Sequence, residues 1–299
     1  MRVTVKAPGS CGELAQGTIN GKSFLITCPI DLYSKVTVMP NKDIGIVTIG
    51  NKVATAITKT LQFLKVPNAG FHVNVKSELP LGKGMASSSA DISAACQCIA
   101  LSRGILLSPD EIADIALSIE PTDGIFYPGI ILFDHVKGHL RRHLGHAIPM
   151  HIVIFDVGGE IDTLHFNQRS DLEKLNHSKE LQVKQAMNLI INGLTKNDVS
   201  LLGKGATISA LANQKILFKP HLEEIIEIGL SWGAVGVNVA HSGTVVGVLF
   251  PANKLSNCPA CIEEINRCCI GVKFLHTVNF ISGGLMKQEG DSHEWQQCF

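Results

Sequence analysis

Hydrophobic and polar residues along this chain follow two different periods, which predict strands and helices in turn. Residues 71–76 alternate one by one, as in a strand with one buried face. Apolar residues recur at helical spacing through 51–65. The segment Ser108–Glu111 has the sequence of a capping box with proline at the first helical position, and it predicts a helix that runs to Ile119.

The same alternation continues to the end of the chain and predicts an α+β protein in two domains. We expect strands at 126–133 and 152–156, joined by a basic, glycine-containing connection between His135 and Met150. The domain boundary lies in that connection, which gives domains at 1–145 and 146–299. Helices are expected at 170–193, 199–212 and 221–230, two strands around 240–243, and a last helix and strand ending near Phe280.

Composition excludes several classes of function. The 299 residues include 26 basic and 26 acidic ones, so no positive excess favours nucleic acid or an anionic membrane as partner. Aromatic residues make up 5%, too few for a base-stacking platform. The chain opens as a strand, without an apolar leader, and its nine cysteines are scattered. We therefore expect a cytoplasmic protein that acts on small molecules.

The segment from Leu79 to Asp91 is rich in glycine and serine, and it leads from a strand into a helix. A glycine-rich turn before a helix favours phosphate binding, and serine hydroxyls bind phosphate oxygens or Mg²⁺. The alternative is a simple capping box formed by Ser88 and Asp91. The segment is not a Walker A loop, because Gly84 stands where that motif needs serine or threonine.

Residues Pro80 to Ala90 resemble the second motif of the GHMP kinases, P-x-x-x-G-L-G-S-S-A-A. In this chain Met85 takes the place of the leucine and Ala86 that of the glycine after it. The segment 7–17, Ala-Pro-Gly-Ser-Cys-Gly-Glu-Leu-Ala-Gln-Gly, is similar to the first motif of the family. The segment 236–247, Gly-Val-Asn-Val-Ala-His-Ser-Gly-Thr-Val-Val-Gly, is similar to the third.

This resemblance implies a two-domain GHMP kinase fold and ATP as co-substrate. The N-terminal domain would be like domain 2 of ribosomal protein S5, and the C-terminal domain ferredoxin-like. By the resemblance, ATP is bound by Pro80, Leu81, Gly82, Lys83, Gly84, Met85, Ala86, Ser87, Ser88, Ser89, Ala90, Ser242 and Gly243.

Two further segments narrow the resemblance. Ile-Glu-Pro-Thr-Asp at 119–123 and Leu-Phe-Asp-His at 132–135 are similar to family members that phosphorylate free L-threonine in cobalamin biosynthesis. The function expected is therefore ATP-dependent transfer of phosphate to the threonine hydroxyl. No nucleic acid or membrane partner is expected, and a homodimer is compatible with this function. The alternatives are a GHMP kinase for another small alcohol, such as homoserine, and a non-catalytic ATP-binding sensor.

Asp123 is the candidate catalytic residue. It lies in a turn between a helix and a strand, where an Asp-Gly pair after proline is also common turn chemistry. The resemblance implies that Asp123 accepts the proton of the acceptor hydroxyl, or holds that hydroxyl in line with the phosphate.

The resemblance also implies Mg²⁺, with Ser88 as hydroxyl ligand. Glu120 is the candidate carboxylate ligand and Glu111 the second choice, because Mg²⁺ takes oxygen ligands and only one or two protein groups. The alternative for Glu120 is a surface charge at a helix end.

The first motif implies an acceptor site that includes Ser10, Cys11, Gly12 and Glu13. Glu13 is expected to bind the substrate ammonium; the alternative is a surface glutamate at a strand end. For the substrate carboxylate, nothing in the spacing selects among Arg141, Arg142 and Arg169. Residues 162–167 are a candidate wall for the methyl group.

Overall fold

Two long antiparallel strands, β1 (Val3–Ile19) and β2 (Lys22–Asn41), form the centre of the protein. They pair along nearly their full length, with register shifts where the first motif passes through β1. The structure is a computed structural model and describes residues 2–41, 46–47, 50–66, 70–159, 169–289 and 294–299.

The first half of the chain completes a sheet with helices packed on it. Its further elements are β3 (Ile46–Val47), α1 (Asn51–Phe63), β4 (Gly70–Ser77), α2 (Ser87–Ser102), α3 (Pro109–Leu117), β5 (Ile130–Phe133) and β6 (Arg141–Gly145). Helix α2 is buried along most of its length against the first core of the molecule, which it shares with α1 and α3.

The second half adds six strands and five α-helices among the described residues, of which four strands and all five helices lie between Met150 and Asn279. They are β7 (Met150–Asp156), α4 (Leu172–Ser178), α5 (Glu180–Lys196), α6 (Val199–Asn213), α7 (Leu222–Ser231), β8 (Gly236–Val239), β9 (Val245–Pro251), α8 (Cys258–Cys268) and β10 (Lys273–Asn279). A 3₁₀ helix, Ala252–Asn257, precedes α8, and two short strands, β11 (Met286–Glu289) and β12 (Gln296–Gln297), follow β10.

Strands from both halves belong to one sheet. Its order is β10-β7-β9-β8-β1-β2-β4-β3, so the junction between the halves lies between β8 and β1. There Glu13 is the residue opposite Val239. The junction therefore places the first motif beside the third, although they lie near opposite ends of the chain.

Most of the predicted elements are confirmed, including the strand over 71–76, the helix from Asn51 and the capping box at Ser108. The expected strand 126–133 is too long, because only Ile130–Phe133 is extended. Residues 126–129 form a turn instead: Phe126 is fully buried and Gly129 has a φ of 80°, outside the strand region.

Two other expectations need correction. The connection between His135 and Met150 contains β6, which pairs with β5 as a hairpin. The helix expected over 170–193 is two helices, α4 and α5, which meet at Lys179. The boundary after residue 145 stays a prediction. Among the described residues, no helix is long and apolar enough to cross a membrane.

Candidate active site

Glycines bring the three motifs into direct contact. A Cβ on Gly84 would lie 2.9 Å from the Cα of Gly243, and a Cβ on Gly12 would lie 2.5 Å from the amide nitrogen of Ala240. The amide of Ser10 donates to the carbonyl of Met85 at 3.1 Å. Side chains at these glycine positions would push the segments apart, which explains why the motifs need glycine there.

The glycine-serine segment ends at the N-terminus of α2. Ala86 precedes the helix with a left-handed φ of 57°, and no side chain caps the helix. The alternative interpretation, a capping box formed by Ser88 and Asp91, is therefore excluded: Ser88 lies inside the first turn, and Asp91 accepts a hydrogen bond from Ser34. An uncapped helix N-terminus is a site suited to phosphate.

A cavity of about 310 Å³ opens in front of this helix. Most of the predicted nucleotide residues line it: Leu81, Gly82, Gly84, Met85, Ala86, Ser87, Ser88, Ser89 and Ser242. The others, Pro80, Lys83, Ala90 and Gly243, lie outside its lining. Lys83 forms an ion pair with Asp156 at 2.9 Å, Ala90 belongs to the core, and Gly243 packs under the glycine-serine segment.

Ser88 and Glu120, the two predicted Mg²⁺ ligands, are in contact. The Ser88 hydroxyl donates to Glu120 Oε1, while Lys52 Nζ lies 2.7 Å from Glu120 Oε2 and 3.2 Å from Ser88 Oγ. A hydroxyl and a carboxylate at the mouth of a phosphate-sized cavity are the hard oxygen donors that Mg²⁺ prefers. Glu111 does not belong to this group, because it completes the capping box of α3.

Lys52 is a site residue that the sequence analysis missed. It lies on α1, outside all three motifs, and its position beside Ser88 depends on how α1 packs against α2. A lysine near a helix N-terminus carried no signal that would separate it from a surface charge.

Asp123 lines the same cavity and contacts Ser89. The Ser89 hydroxyl accepts from the Asp123 amide at 3.0 Å and lies 3.4 Å from Asp123 Oδ2, to which it donates. Burial, together with the charge of Glu120, raises the pKa of Asp123 to about 6, against the opposing effect of the Ser89 hydrogen bond. A carboxylate with such a pKa is ionised at neutral pH and able to accept a proton.

Glu13 is buried, with 4% of its surface exposed, so a surface position at a strand end is excluded. Burial and the neighbouring charge of Asp123 raise its pKa well above the ordinary range of a carboxyl. In the part of the chain that the structure describes, Glu13 Oε2 has no hydrogen-bond partner. A buried acceptor without a partner is rare in a folded protein and marks a place where a ligand can bind.

Glu13 is one of several buried polar groups without a partner. The others around it are Ser10 Oγ, Thr27 Oγ1 on the paired strand, and Thr122 Oγ1 and His135 Nδ1 on the cavity wall. Cys11 and Gly12, also predicted for the acceptor site, pack at the junction between the first and third motifs, and their place in that site stays a prediction. Cys11 packs against Asn238, and burial raises the pKa of its thiol.

A second cavity of about 730 Å³ adjoins the first. His135 and His241 line both cavities, with ring centroids 4.9 Å apart, and so form the wall between them. Burial lowers the pKa of His135 to about 4, so this imidazole is neutral. His135 lies in the segment 132–135 and His241 in the third motif, and the sequence alone assigns neither of them a role in binding.

Of the three candidate arginines, only Arg169 lines a cavity. It faces the second one, pairs with Asp171 at 2.8 Å and donates to the Ile216 carbonyl. Arg141 is held by Asp110 and Asp114, and Arg142 is exposed on β6. The candidate wall at 162–167 lies outside the described residues.

Comparison with known proteins identifies the same two-part architecture. Residues 51–127 match the model of the GHMP kinases N terminal domain, and residues 190–263 match that of the GHMP kinases C terminal domain. The crystal structure of a homoserine kinase from Cytophaga hutchinsonii superposes with a TM-score of 0.70 over 96% of this chain and 97% of its own, at 17% identity.

Relatives at higher identity are found among curated proteins. An L-threonine kinase from Salmonella typhimurium is 32% identical over 82% of this chain and 81% of its own length. An L-threonine kinase from Citrobacter freundii is 30% identical over 83% of this chain and 86% of its own.

Proposed function

This chain belongs to the GHMP kinase family and is a small-molecule kinase, and on that premise we propose that it transfers phosphate from ATP to the hydroxyl of free L-threonine. The observation that carries the proposal is the buried carboxyl group of Glu13 near Asp123. Its Oε2 has no hydrogen-bond partner among the described residues. Two acidic groups at one site suit an acceptor with both an ammonium and a hydroxyl. Relatives named L-threonine kinase, 30–32% identical over most of the chain, support threonine over homoserine.

The two carboxylates have different roles in this proposal. Glu13 binds the ammonium of the acceptor and thereby gains the positive partner that it lacks in the free protein. Asp123, ionised at neutral pH, accepts the proton of the hydroxyl or orients it toward the phosphate. The loose transition state of phosphoryl transfer demands little charge on the attacking oxygen, so orientation contributes as much as proton removal.

The first cavity receives the phosphates of ATP. The N-terminus of α2 offers its amides and the hydroxyl of Ser87, and Lys52 adds a positive charge. Mg²⁺ would be held by Ser88 and Glu120, where it would neutralise charge on the phosphates. Lys52, which now neutralises Glu120, would then be available to the phosphate oxygens.

The product, O-phospho-L-threonine, would supply the aminopropanol linker of cobalamin. We place the reaction in the cytoplasm. All nine cysteines are free thiols in the structure, which suits a reducing compartment.

The test is ADP release by purified protein with Mg-ATP and a panel of L-threonine, L-serine, L-homoserine and 1-amino-2-propanol, with products identified by mass. We expect turnover that prefers L-threonine and that is lost in Asp123→Ala while ATP still binds. Preference for another alcohol would contradict threonine as substrate but not the kinase activity.

A further inference from the structure

Two lysines are almost completely buried without a negative partner. Lys179 and Lys219 have 3% and 1% of their surface exposed. Lys179 Nζ donates to the side-chain oxygen of Asn213 at 2.8 Å, and Lys219 Nζ donates to the carbonyl of Gly243. Each ammonium has three donors and only one acceptor here, and no described carboxylate forms an ion pair with either.

The fold holds both lysines in these positions. Lys179 is the residue at which α4 meets α5. The backbone of Lys219 is clamped by Gln214, whose side chain accepts from the Lys219 amide at 2.6 Å and donates to its carbonyl at 3.0 Å. Asn213, which accepts from Lys179, is fully buried, and its Nδ2 has no partner among the described residues.

Both lysines lie behind the wall between the two cavities. The Cε of Lys179 lies 3.4 Å from the position of a Cβ on Gly17, a residue that lines the second cavity. Lys219 contacts Gly243, two residues after His241. Burial, and then the charges of His135, Lys179 and Lys219, lower the pKa of His241 well below its ordinary value. The wall therefore has neutral imidazoles at its surface and two buried lysines behind it.

A buried ammonium without a counter-charge is costly, and burial accordingly lowers the pKa of both Lys179 and Lys219 to about 7. An anionic ligand nearby would favour the charged form of each lysine and remove that cost. We propose that Lys179 and Lys219, acting across the imidazoles of His135 and His241, form the subsite for the carboxylate of the amino-acid acceptor. This inference rests on the proposed function. It gives the acceptor a positive end opposite Glu13 and Asp123, which bind its ammonium and its hydroxyl. The phosphates of ATP have their own donors, at the N-terminus of α2 and at Lys52.

The test compares two acceptors that differ in the carboxylate alone, L-threonine and 1-amino-2-propanol. In Lys179→Met and Lys219→Met we expect the KM for L-threonine to rise by about ten- to a hundredfold, because the substrate carboxylate loses the attraction of a positive charge. The kcat, the KM for ATP and the kinetics with 1-amino-2-propanol stay within about twofold of wild type, since loss of uniform binding leaves kcat unchanged. Lys219→Arg restores part of the affinity, and Lys204→Met, an exposed change on α6, leaves both acceptors unaffected.

Three results would overturn the inference. Equal losses with both acceptors would give the lysines a structural role only. A rise in the KM for ATP alone would assign them to the phosphates. Unchanged kinetics with L-threonine would remove them from the site.

A binding measurement keeps the inference separate from the proposed function. We expect L-threonine, and not 1-amino-2-propanol, to raise the Tm of the wild-type protein, and this shift to vanish in both methionine variants. If the shift behaves so but L-threonine is not phosphorylated, the proposed function fails and the carboxylate subsite stands. If L-threonine is phosphorylated but its Tm shift survives in both variants, the subsite fails alone.

Discussion

Gly84 and Gly243 pack backbone to backbone, and neither position has room for a Cβ. Through this contact the glycine-serine segment before α2 rests on the turn between β8 and β9. The carbonyl of Lys83 extends the contact by accepting from the amide of Thr244 at 3.0 Å. The shape of the first cavity therefore depends on a junction between the two halves of the chain.

Replacement of Gly243 by alanine should damage nucleotide binding. The new methyl group would overlap the backbone of Gly84, and overpacking at such a contact costs about 1–3 kcal/mol. We expect a raised KM for ATP and a lower free energy of unfolding, measured by steady-state kinetics and urea titration. Ser231→Thr, which adds a methyl group at an exposed position at the end of α7, is the control and should change neither. A normal KM for ATP in Gly243→Ala would contradict this reading of the contact.

The pH dependence of turnover should report Asp123. Because the pKa of Asp123 is raised to about 6 and the residue must be ionised, kcat/KM should rise with pH up to about 6 and then level off. Asp123→Asn should lower kcat by ~10²–10⁴ and remove this acid limb. The measurement is kcat/KM from pH 5 to 9.

Ser89 offers a control on that assignment. Its hydroxyl lowers the pKa of Asp123, so Ser89→Ala should shift the acid limb to higher pH. Ser93→Ala, which removes a hydroxyl bonded only to helix carbonyls, should leave the limb in place. An acid limb unmoved in Ser89→Ala would assign it to another group.

The Mg²⁺ concentration that the reaction requires should depend on the carboxylate of Glu120. Glu120→Gln removes the carboxylate beside Ser88. Loss of a residue that only supports a metal ligand typically weakens metal binding ~10–100-fold. Loss of a ligand itself should raise the Mg²⁺ concentration for half-maximal rate by at least that factor. Glu111→Gln keeps the capping box of α3 and should need no more Mg²⁺ than wild type. Titration of the rate with Mg²⁺ at saturating ATP distinguishes the two, and equal curves would exclude Glu120 as ligand.

Glu13 should make the free protein less stable than it could be. Its folded-state pKa is raised, so the ionised form destabilises the fold as pH rises above 4.5, the ordinary value. Glu13→Gln should therefore raise the free energy of unfolding at pH 8 by on the order of 1–3 kcal/mol, and by less at pH 5. The same variant should bind L-threonine poorly.

Urea denaturation at the two pH values measures this effect. Glu227→Gln, an exposed change on α7, should alter stability at neither pH. A Glu13→Gln protein that is destabilised at pH 8 would mean that the carboxylate has a partner in the fold.

Ala86 occupies a backbone conformation that suits glycine. Its φ of 57° costs a residue with a Cβ about 1–2 kcal/mol, while glycine loses about 0.5–1 kcal/mol through the entropy of the unfolded chain. Ala86→Gly should leave the free energy of unfolding unchanged or raise it by up to about 1 kcal/mol. Ala54→Gly, inside α1, should lower it by about 1 kcal/mol, and similar losses in both variants would disprove the strain at Ala86.

The sequence predicted what is local and repeated. Helix α1, the capping box of α3 and strand β4 follow from periodicity and capping within a few residues. Most residues that line the first cavity belong to the second and third motifs. Each of these motifs is one continuous segment that forms its own turn, so the sequence alone could indicate it. The error at 126–129 arose because Phe126 and its neighbour are buried in a turn and so imitate a strand.

The missed features depend on how distant elements pack. Lys52 reaches Ser88 only through the packing of α1 on α2. Lys179 and Lys219 come from separate parts of the second half, and both read as ordinary surface lysines in the sequence. Strands β11 and β12 are too short to show a period, and β1 positions β11 by pairing with it.

The pairing of β1 with β8 has a consequence for synthesis on the ribosome. The amino end of the chain, with Glu13, is translated early, whereas its partner Val239 and the turn that supports Gly84 emerge only after four fifths of the chain. A nascent chain therefore carries its phosphate-binding segment long before it can close the cavity around a nucleotide. ATP can stabilise the protein only once residues 236–247 have been translated, so the earlier intermediates depend on their hydrophobic cores alone.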